Sequence, residues 1–329
     1  MTDTQDGTIA LIGGGSMGMG WAIVFARAGH TVRIYDSAPD MLTKAKPGIA
    51  TRLSALAAHG LLEEAPDAIL ARITTTGDLA AALADVVHVQ ENVPERLEIK
   101  LDLFKRLDEL APPDAVLASS TSSLPASDFA SDLIGRARCL VAHPANPPFL
   151  LPIVEIVPAP FTAPEAVERT RALMAATGQA PVVLKREVNG FLYNRLQGAV
   201  LREAYWMVKE GIADVQDIDA VMTSGLGLRW SIIGPFETAD LNYRGGLVDH
   251  ASRMGERYRQ MGAERGQPDD WDADLVARAA AQRRAIVPME KWDARVAWRD
   301  ERLMTARAAG LGKPDPYSVL DDGETGSTT

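Results

Sequence analysis

A histidine and a carboxylate twelve residues apart carry the densest chemistry in this 329-residue chain. His143 follows the apolar run Cys139-Leu-Val-Ala142, and Glu155 sits in the middle of another, Ile153-Val-Glu-Ile-Val157. A carboxylate buried without a partner carries a heavy desolvation cost or gives up its charge. Glu155 therefore calls for a partner, and a histidine is the natural one. Bound to one imidazole nitrogen, the acid would fix the tautomer and stabilise the ring once protonated, leaving the other nitrogen to take a proton from a hydroxyl. The alternative is a satisfied structural histidine and an acid on an edge strand. Three further groups could assist. The hydroxyl-rich Ser119-Ser-Thr-Ser-Ser123 could hold a reacting oxygen or cap a helix beginning near Pro125. Asn194 could reach over a cleft or act as an ordinary N-cap. Arg229, among glycines and beside Trp230, suits bidentate recognition of a carboxylate, or is a surface residue.

Such groups need something to act with, and the N-terminal stretch supplies it. Thr8-Ile-Ala-Leu-Ile12 has strand character and runs into Gly13, Gly15 and Gly18, followed by the helical pattern Trp21-Ala-Ile-Val-Phe-Ala26. In a strand–turn–helix, Gly13 makes the turn, Gly15 admits a pyrophosphate to the backbone, and Gly18 lets helix and strand pack closely. Ser16 and Met17 then lie in the first helical turn beneath the phosphates. A second strand, Thr31–Tyr35, ends at Asp36. An acid there accepts hydrogen bonds from a ribose 2′-hydroxyl and repels a 2′-phosphate, which favours NAD over NADP.

The elements that must position these residues alternate. Strands are expected at Ile73–Thr75, Val86–Gln90, Ala115–Ala118, Cys139–Ala142, Ile153–Val157 and Val182–Lys185. Helices are expected after Asp36 to about Leu62, at Leu79–Leu83, at Leu97–Leu110 and at Ala163–Gly178, with an acidic loop at Glu63–Asp67. Prolines between His143 and Pro160 exclude a helix there. The pattern predicts an α/β fold: a Rossmann-type, doubly wound, mainly parallel sheet with ligands at the carboxyl ends of its strands. Beyond a boundary near Glu187–Gly190 the strand signal vanishes, and an all-α domain is expected. Its first helices are Asn194–Glu210 and one from Asp214 to Gly225. The division predicted is 1–188 for the nucleotide domain and 189–329 for a helical substrate and dimerisation domain, with a frayed tail from about residue 310.

Bulk properties narrow the class. A net charge of −10 argues against nucleic acid or an anionic membrane as partner. Cys139 is the single cysteine, so no internal disulfide can form, and its apolar setting reads as a buried strand residue. Without a signal sequence or bilayer-length apolar run, the expected location is cytoplasmic. No metal site is expected.

With these residues laid out, the chain resembles the L-3-hydroxyacyl-CoA dehydrogenase superfamily, and most of all its λ-crystallin and L-gulonate 3-dehydrogenase branch. The motifs are GGGSMG, ENVPER at Glu91–Arg96, STSSL at Ser120–Leu124, HPANP at His143–Pro147, LPIVEIVP at Leu151–Pro158, GFLYNRL at Gly190–Leu196, GLGLRWSIIGPFET at Gly225–Thr238, and AWRDERL at Ala297–Leu303. The resemblance implies His143 as general base and Glu155 as its orienting acid. It implies Ser122 and Asn194 on the substrate's reacting oxygen, with Asn146 beside them. Gly13, Gly15, Ser16, Met17, Gly18 and Asp36 would hold NAD, and Glu95 and Lys100 would meet its nicotinamide-side ribose. The helical domain would form a homodimer. Lys44, Lys46 and Arg52 are thin support for a CoA ester. The GLGLRW segment resembles relatives acting on free hydroxy acids, including carnitine dehydrogenases, with Arg229 on the carboxylate. For carnitine, Trp206 and Trp230 could contribute to an aromatic cage. The implied activity is NAD-dependent oxidation of the 3-hydroxyl of a small L-3-hydroxy acid. L-gulonate comes first, then L-carnitine or an L-3-hydroxyacyl-CoA. The rival from another class is a non-catalytic, crystallin-like NAD-binding structural protein.

Overall fold

Apolar runs of four to six residues, each too short for a helix and bounded by turns, become eight strands. They are β1 (Thr8–Ile12), β2 (Val32–Tyr35), β3 (Ile73–Thr76), β4 (Val86–Glu91), β5 (Val116–Ser119), β6 (Cys139–Pro144), β7 (Ile153–Pro158) and β8 (Ala180–Val183). The structure, a computed structural model, describes residues 7–231, 234–244, 246–265 and 288–309. The strands form one sheet in the order β3-β2-β1-β4-β5-β6-β7-β8. Neighbours run parallel except β6 and β7, whose antiparallel register sets His143 directly opposite Glu155. The chain departs from β1 in both directions across the sheet, so the crevice between the ends of β1 and β4 is the switch point where such sheets bind ligands.

Seven helices join these strands: α1 (Ser16–Arg27), α2 (Pro39–Ala58), α3 (Pro66–Ala71), α4 (Leu79–Leu83), α5 (Leu97–Leu110), α6 (Ala126–Ala130) and α7 (Pro164–Ala176). Spacing explains which faces they bury. In α5, Lys100, Leu103, Phe104 and Leu107 fall on one stripe and are buried, while Leu101 and Leu110 stay exposed. The core is dense around β1, α1 and β4 to β6: Ile9, Leu11, Trp21, Phe25, Leu117 and Val141 are each 0% exposed. Cys139 is also at 0%, and burial pushes its thiol pKa up to about 12.

Two expectations need correction. His143 lies inside β6 rather than just past it, because β7 supplies pairing partners as far as Pro144. The last strand is Ala180–Val183, not Val182–Lys185. It is an edge strand, so Pro181 needs no ladder donor on its open side, and Leu184 already turns into the core. The acidic loop is tied back by Arg72, which forms a two-pronged pair with Glu64 at 2.6 and 3.0 Å.

Contacts divide the chain into two units, one of residues 1–193 with 307–329, the other Asn194–Ala306. Among the described residues the second unit contains no strand. Its helices are α8 (Tyr193–Lys209, beginning one residue before the unit does), α9 (Val215–Val221), a π-helical turn Met222–Leu226, α10 (Gly227–Trp230), α11 (Pro235–Leu241), α12 (Gly246–Arg265) and α13 (Trp292–Ala308). The π turn continues the helix expected to stop at Gly225. The expected tail from residue 310 lies outside the described residues. No helix among them is long and apolar enough to cross a membrane.

Candidate active site

The turn after β1 is built around two glycines that nothing else could replace. Gly13 has φ +107°, and a β-carbon there would lie 2.8 Å from the carbonyl oxygen of Asn92. A β-carbon on Gly18 would lie 1.9 Å from the Gly13 carbonyl oxygen, so α1 can sit this close to β1 only without one. At Gly15 the nearest atom, Met41 Cε, is 4.0 Å away, leaving open space over the first turn of α1. Gly13, Gly15, Ser16 and Met17 line a cavity of about 920 Å³, walled by Asp36 and Met41 on one side and Val93, Ile99 and Leu103 on another. Asp36 Oδ2 accepts the Gly14 N–H at 2.7 Å and Oδ1 accepts the Ala38 N–H at 2.9 Å. Its carboxylate is thereby pinned at the end of β2. Open backbone over a helix N-terminus, an apolar slot and a fixed acid fit the diphosphate, base and ribose of a dinucleotide.

A second cavity of about 280 Å³ shares Met17, Asn92 and Val93 with the first and adds Glu95, Lys100, Ser120, Thr121, Ser122, His143 and Asn146. Here His143 Nδ1 lies 2.8 Å from Glu155 Oε2. The other carboxylate oxygen, Oε1, accepts the backbone N–H groups of Leu192 at 2.6 Å and Tyr193 at 2.9 Å. Those donors are aimed by a left-handed turn, Gly190 at φ +75° and Phe191 at φ +48°. Phe191 occupies that uncommon conformation with its ring fully buried, 5.6 Å from the imidazole. Glu155 is 3% exposed and bonded at both oxygens, an arrangement that can hold the imidazole in one orientation. With Nδ1–H on Glu155, the Nε2 of His143 is the acceptor.

The hydroxyl loop does not cap the helix that follows it. α6 starts at Ala126 after Pro125, with no side-chain cap. Instead the loop wraps Glu95, whose Oε1 accepts the Thr121 hydroxyl, the Ser122 and Ser123 N–H groups at 3.2 and 3.1 Å, and the Ser123 hydroxyl at 2.9 Å. Burial pushes the Glu95 pKa up, but the Thr121 and Ser123 donors and the Lys100 charge outweigh it and hold it below the usual range. Lys100 is 1% exposed, with its ammonium 2.7 and 2.9 Å from the two oxygens of Glu91, 3.4 Å from Ser119 and 3.8 Å from Glu95. Its charge is therefore answered by Glu91, a residue the sequence reading passed over. The signal was present: Glu91 ends an apolar strand, the same anomaly that marked Glu155. Gln90 and Asn92 were also missed.

Asn194 is the second residue of α8, which starts at Tyr193, so the N-cap reading falls away. Arg229 is exposed on α10, next to Trp230; Trp206 lies on α8. These belong to the helical unit. No cluster of His, Cys, Asp or Glu suited to a metal ion occurs among the described residues.

The sheet and its two joined cavities define a dinucleotide-binding oxidoreductase domain, and comparison with known proteins gives it a family. The profile described as "3-hydroxyacyl-CoA dehydrogenase, NAD binding domain" matches residues 8–188, and that of the C-terminal domain matches 190–289. The chain belongs to the 3-hydroxyacyl-CoA dehydrogenase family and is an NAD-dependent hydroxyacyl-CoA or hydroxy acid dehydrogenase. It is 41% identical to a lambda-crystallin homolog of Bos taurus over 302 residues, covering 91% of this chain and 94% of that one. It is 42% identical over 248 residues to an L-carnitine dehydrogenase of Streptomyces griseus, covering 75% and 73%. Among solved structures it superposes on 5-formyl-3-hydroxy-2-methylpyridine 4-carboxylic acid 5-dehydrogenase, an NAD+-dependent dismutase. The TM-score is 0.80 at 31% identity, covering 92% of this chain and 99% of that one.

Proposed function

We propose that this protein oxidises the 3-hydroxyl of a small L-3-hydroxy acid to the ketone, with His143 taking the hydroxyl proton. One observation carries the reading: His143 lines the smaller cavity, and its Nδ1 is held by an acid whose other oxygen is pinned by two backbone donors. As His143 accepts the proton, Glu155 lies 2.8 Å away to balance the charge, and neither group must reorient. When bound, NAD supplies the acceptor for the hydride that leaves the carbinol carbon. Ser122 and Asn146 on the cavity wall offer hydrogen bonds to the reacting oxygen. Family resemblance adds Asn194 for that oxygen and Arg229 for the carboxylate.

L-gulonate or a close analogue is the first substrate, on the likeness to the λ-crystallin branch. L-carnitine comes next, on the carnitine dehydrogenase relatives, and then an L-3-hydroxyacyl-CoA. A homodimer through the helical domain, in the cytoplasm, completes the proposal. A crystallin-like structural role has the names of the relatives in its favour; the fully satisfied acid–base pair weighs against it.

The test follows NADH formation with L-gulonate, L-carnitine, L-3-hydroxybutyrate and a 3-hydroxyacyl-CoA. Turnover of L-gulonate is expected. Tight NAD binding with no turnover of any of the four would overturn the reading in favour of the structural role. His143→Gln should lower turnover by about a thousandfold, with NAD affinity, read by calorimetric titration, within about twofold of wild type because the substitution removes no dinucleotide contact. Substantial residual turnover removes His143 from its role.

A further inference from the structure

Five side chains outside the His143–Glu155 pair form a hydrogen-bonded chain that reaches both cavities, and its proton directions admit one assignment. The Trp21 indole N–H can only donate, and the Ala142 carbonyl can only accept. Gln90 Nε2 lies 3.0 Å from the Ala142 oxygen and 2.7 Å from Ser120 Oγ, so the amide NH2 of Gln90 faces that way. Its Oε1 therefore turns to His88 and accepts from Nε2 at 3.0 Å. His88 is buried and neutral, desolvation holding its pKa down at about 4. Ser120 Oγ also accepts from Trp21 Nε1 at 3.0 Å, so its own hydrogen goes to Asn92 Oδ1 at 2.8 Å. Asn92 Oδ1 is thus an acceptor and Nδ2 a donor, as the 2.8 Å bond from Nδ2 to the Gln90 carbonyl also requires.

One amide hydrogen is left over. Nδ2 carries two, and the second has no acceptor among the described residues. Asn92 lines both cavities, and its Nδ2 is 3.9 Å from where a β-carbon on Gly18 would stand, beside the first turn of α1. A ligand filling both cavities must pass this point.

We propose that Asn92 is a further cofactor-binding residue, held by Ser120 and Gln90 as a hydrogen-bond donor to a phosphate or ribose oxygen of the dinucleotide where the two cavities meet. A free asparagine could present either end of its amide. Here the Oδ1 end is already committed to the Ser120 hydroxyl, so a phosphate meets N–H and not a lone pair. Ser120 and Gln90 are positioning residues in this scheme. Gln90 also ties β6, which carries His143, to β4, which ends one residue before Asn92.

The experiment is calorimetric titration of the full chain with NAD, ADP-ribose and AMP. Asn92→Asp keeps the shape and replaces the donor by a carboxylate. Its Kd for NAD and for ADP-ribose should rise by about tenfold or more, while AMP, too short to cross the junction, should bind within about twofold of wild type. Asn92→Ala removes the donor without adding charge, and Ser120→Ala releases the amide to turn; both should show the same pattern at about threefold. Unchanged NAD affinity in Asn92→Asp or Asn92→Ala overturns the proposal, and so does a parallel loss of AMP binding. Turnover plays no part, so a chain that binds NAD without oxidising any hydroxy acid would refute the proposed function and leave this inference standing.

Discussion

The two units solve the problem of charge in opposite ways. In the sheet unit the pairs that matter are buried and join distant parts of the chain: Glu91 with Lys100 at 0% and 1% exposure, His143 with Glu155, and Asp108 with Arg138. In the helical unit two pairs on α12, Asp249–Arg253 and Glu256–Arg259, join neighbours one turn apart and are half-buried to exposed. The first kind is costly to assemble and damaging to break; the second contributes little either way. Apolar burial differs in the same sense. The sheet unit has a continuous fully buried core, whereas among the described residues of the helical unit only Val208, Thr238 and Met304 are buried. Phe236 and Val248 there are 78% and 82% exposed. The difference teaches that the sheet unit carries its own stability and cofactor chemistry, while the helical unit leaves apolar surface to be covered, as the proposed homodimer would do.

Three measurements can break or sharpen that contrast. The largest effect is expected from Lys100→Met, which strands the Glu91 carboxylate in the interior. Urea denaturation should show a loss of about 3–5 kcal/mol. Lys44→Ala, removing a pair with Asp40 that is 71% and 65% exposed, should cost well under 1 kcal/mol. Comparable losses in both would erase the distinction between buried and surface pairs.

Next comes the pH dependence set by His88. Its folded pKa of about 4 lies below the unfolded value of 6.5, so the unfolded chain binds the extra proton first. The stability present above pH 6.5 should fall as the pH drops towards 4, by about 3 kcal/mol over that window. His88→Gln should flatten this slope in urea melts recorded across the range; an unchanged slope would assign the acid sensitivity elsewhere.

The smallest effect on the sheet unit is expected from changes in the other one. Phe236→Asp with Val248→Asp should halve the mass seen by light scattering while leaving NAD affinity within about twofold of wild type. An unchanged mass would place the dimer contact on another face.

Much was legible without coordinates, and the reasons are local. A strand, three glycines at fixed spacing and an apolar helix specify their own turn, so α1, α4 and α5 and the placement of Asp36 could be read directly. The anomaly of an acid in an apolar strand marked Glu155, because burial penalises an unpaired charge whatever the fold. What local pattern could not reveal is which group answers another across the sheet. The resemblance placed Lys100 beside the cofactor, and only the meeting of β4 and α5 shows that it also lies against Glu91. The backbone donors to Glu155 come from Leu192 and Tyr193, thirty-seven and thirty-eight residues on, and the chain through His88, Gln90, Ser120 and Asn92 draws on one strand and the loops after β4 and β5. Periodicity and spacing act over a few residues and so were settled by sequence alone. Strand order and register act over tens of residues, and only the tertiary structure decided them, because a hydrogen bond forms at about 3 Å whatever the number of residues between its partners.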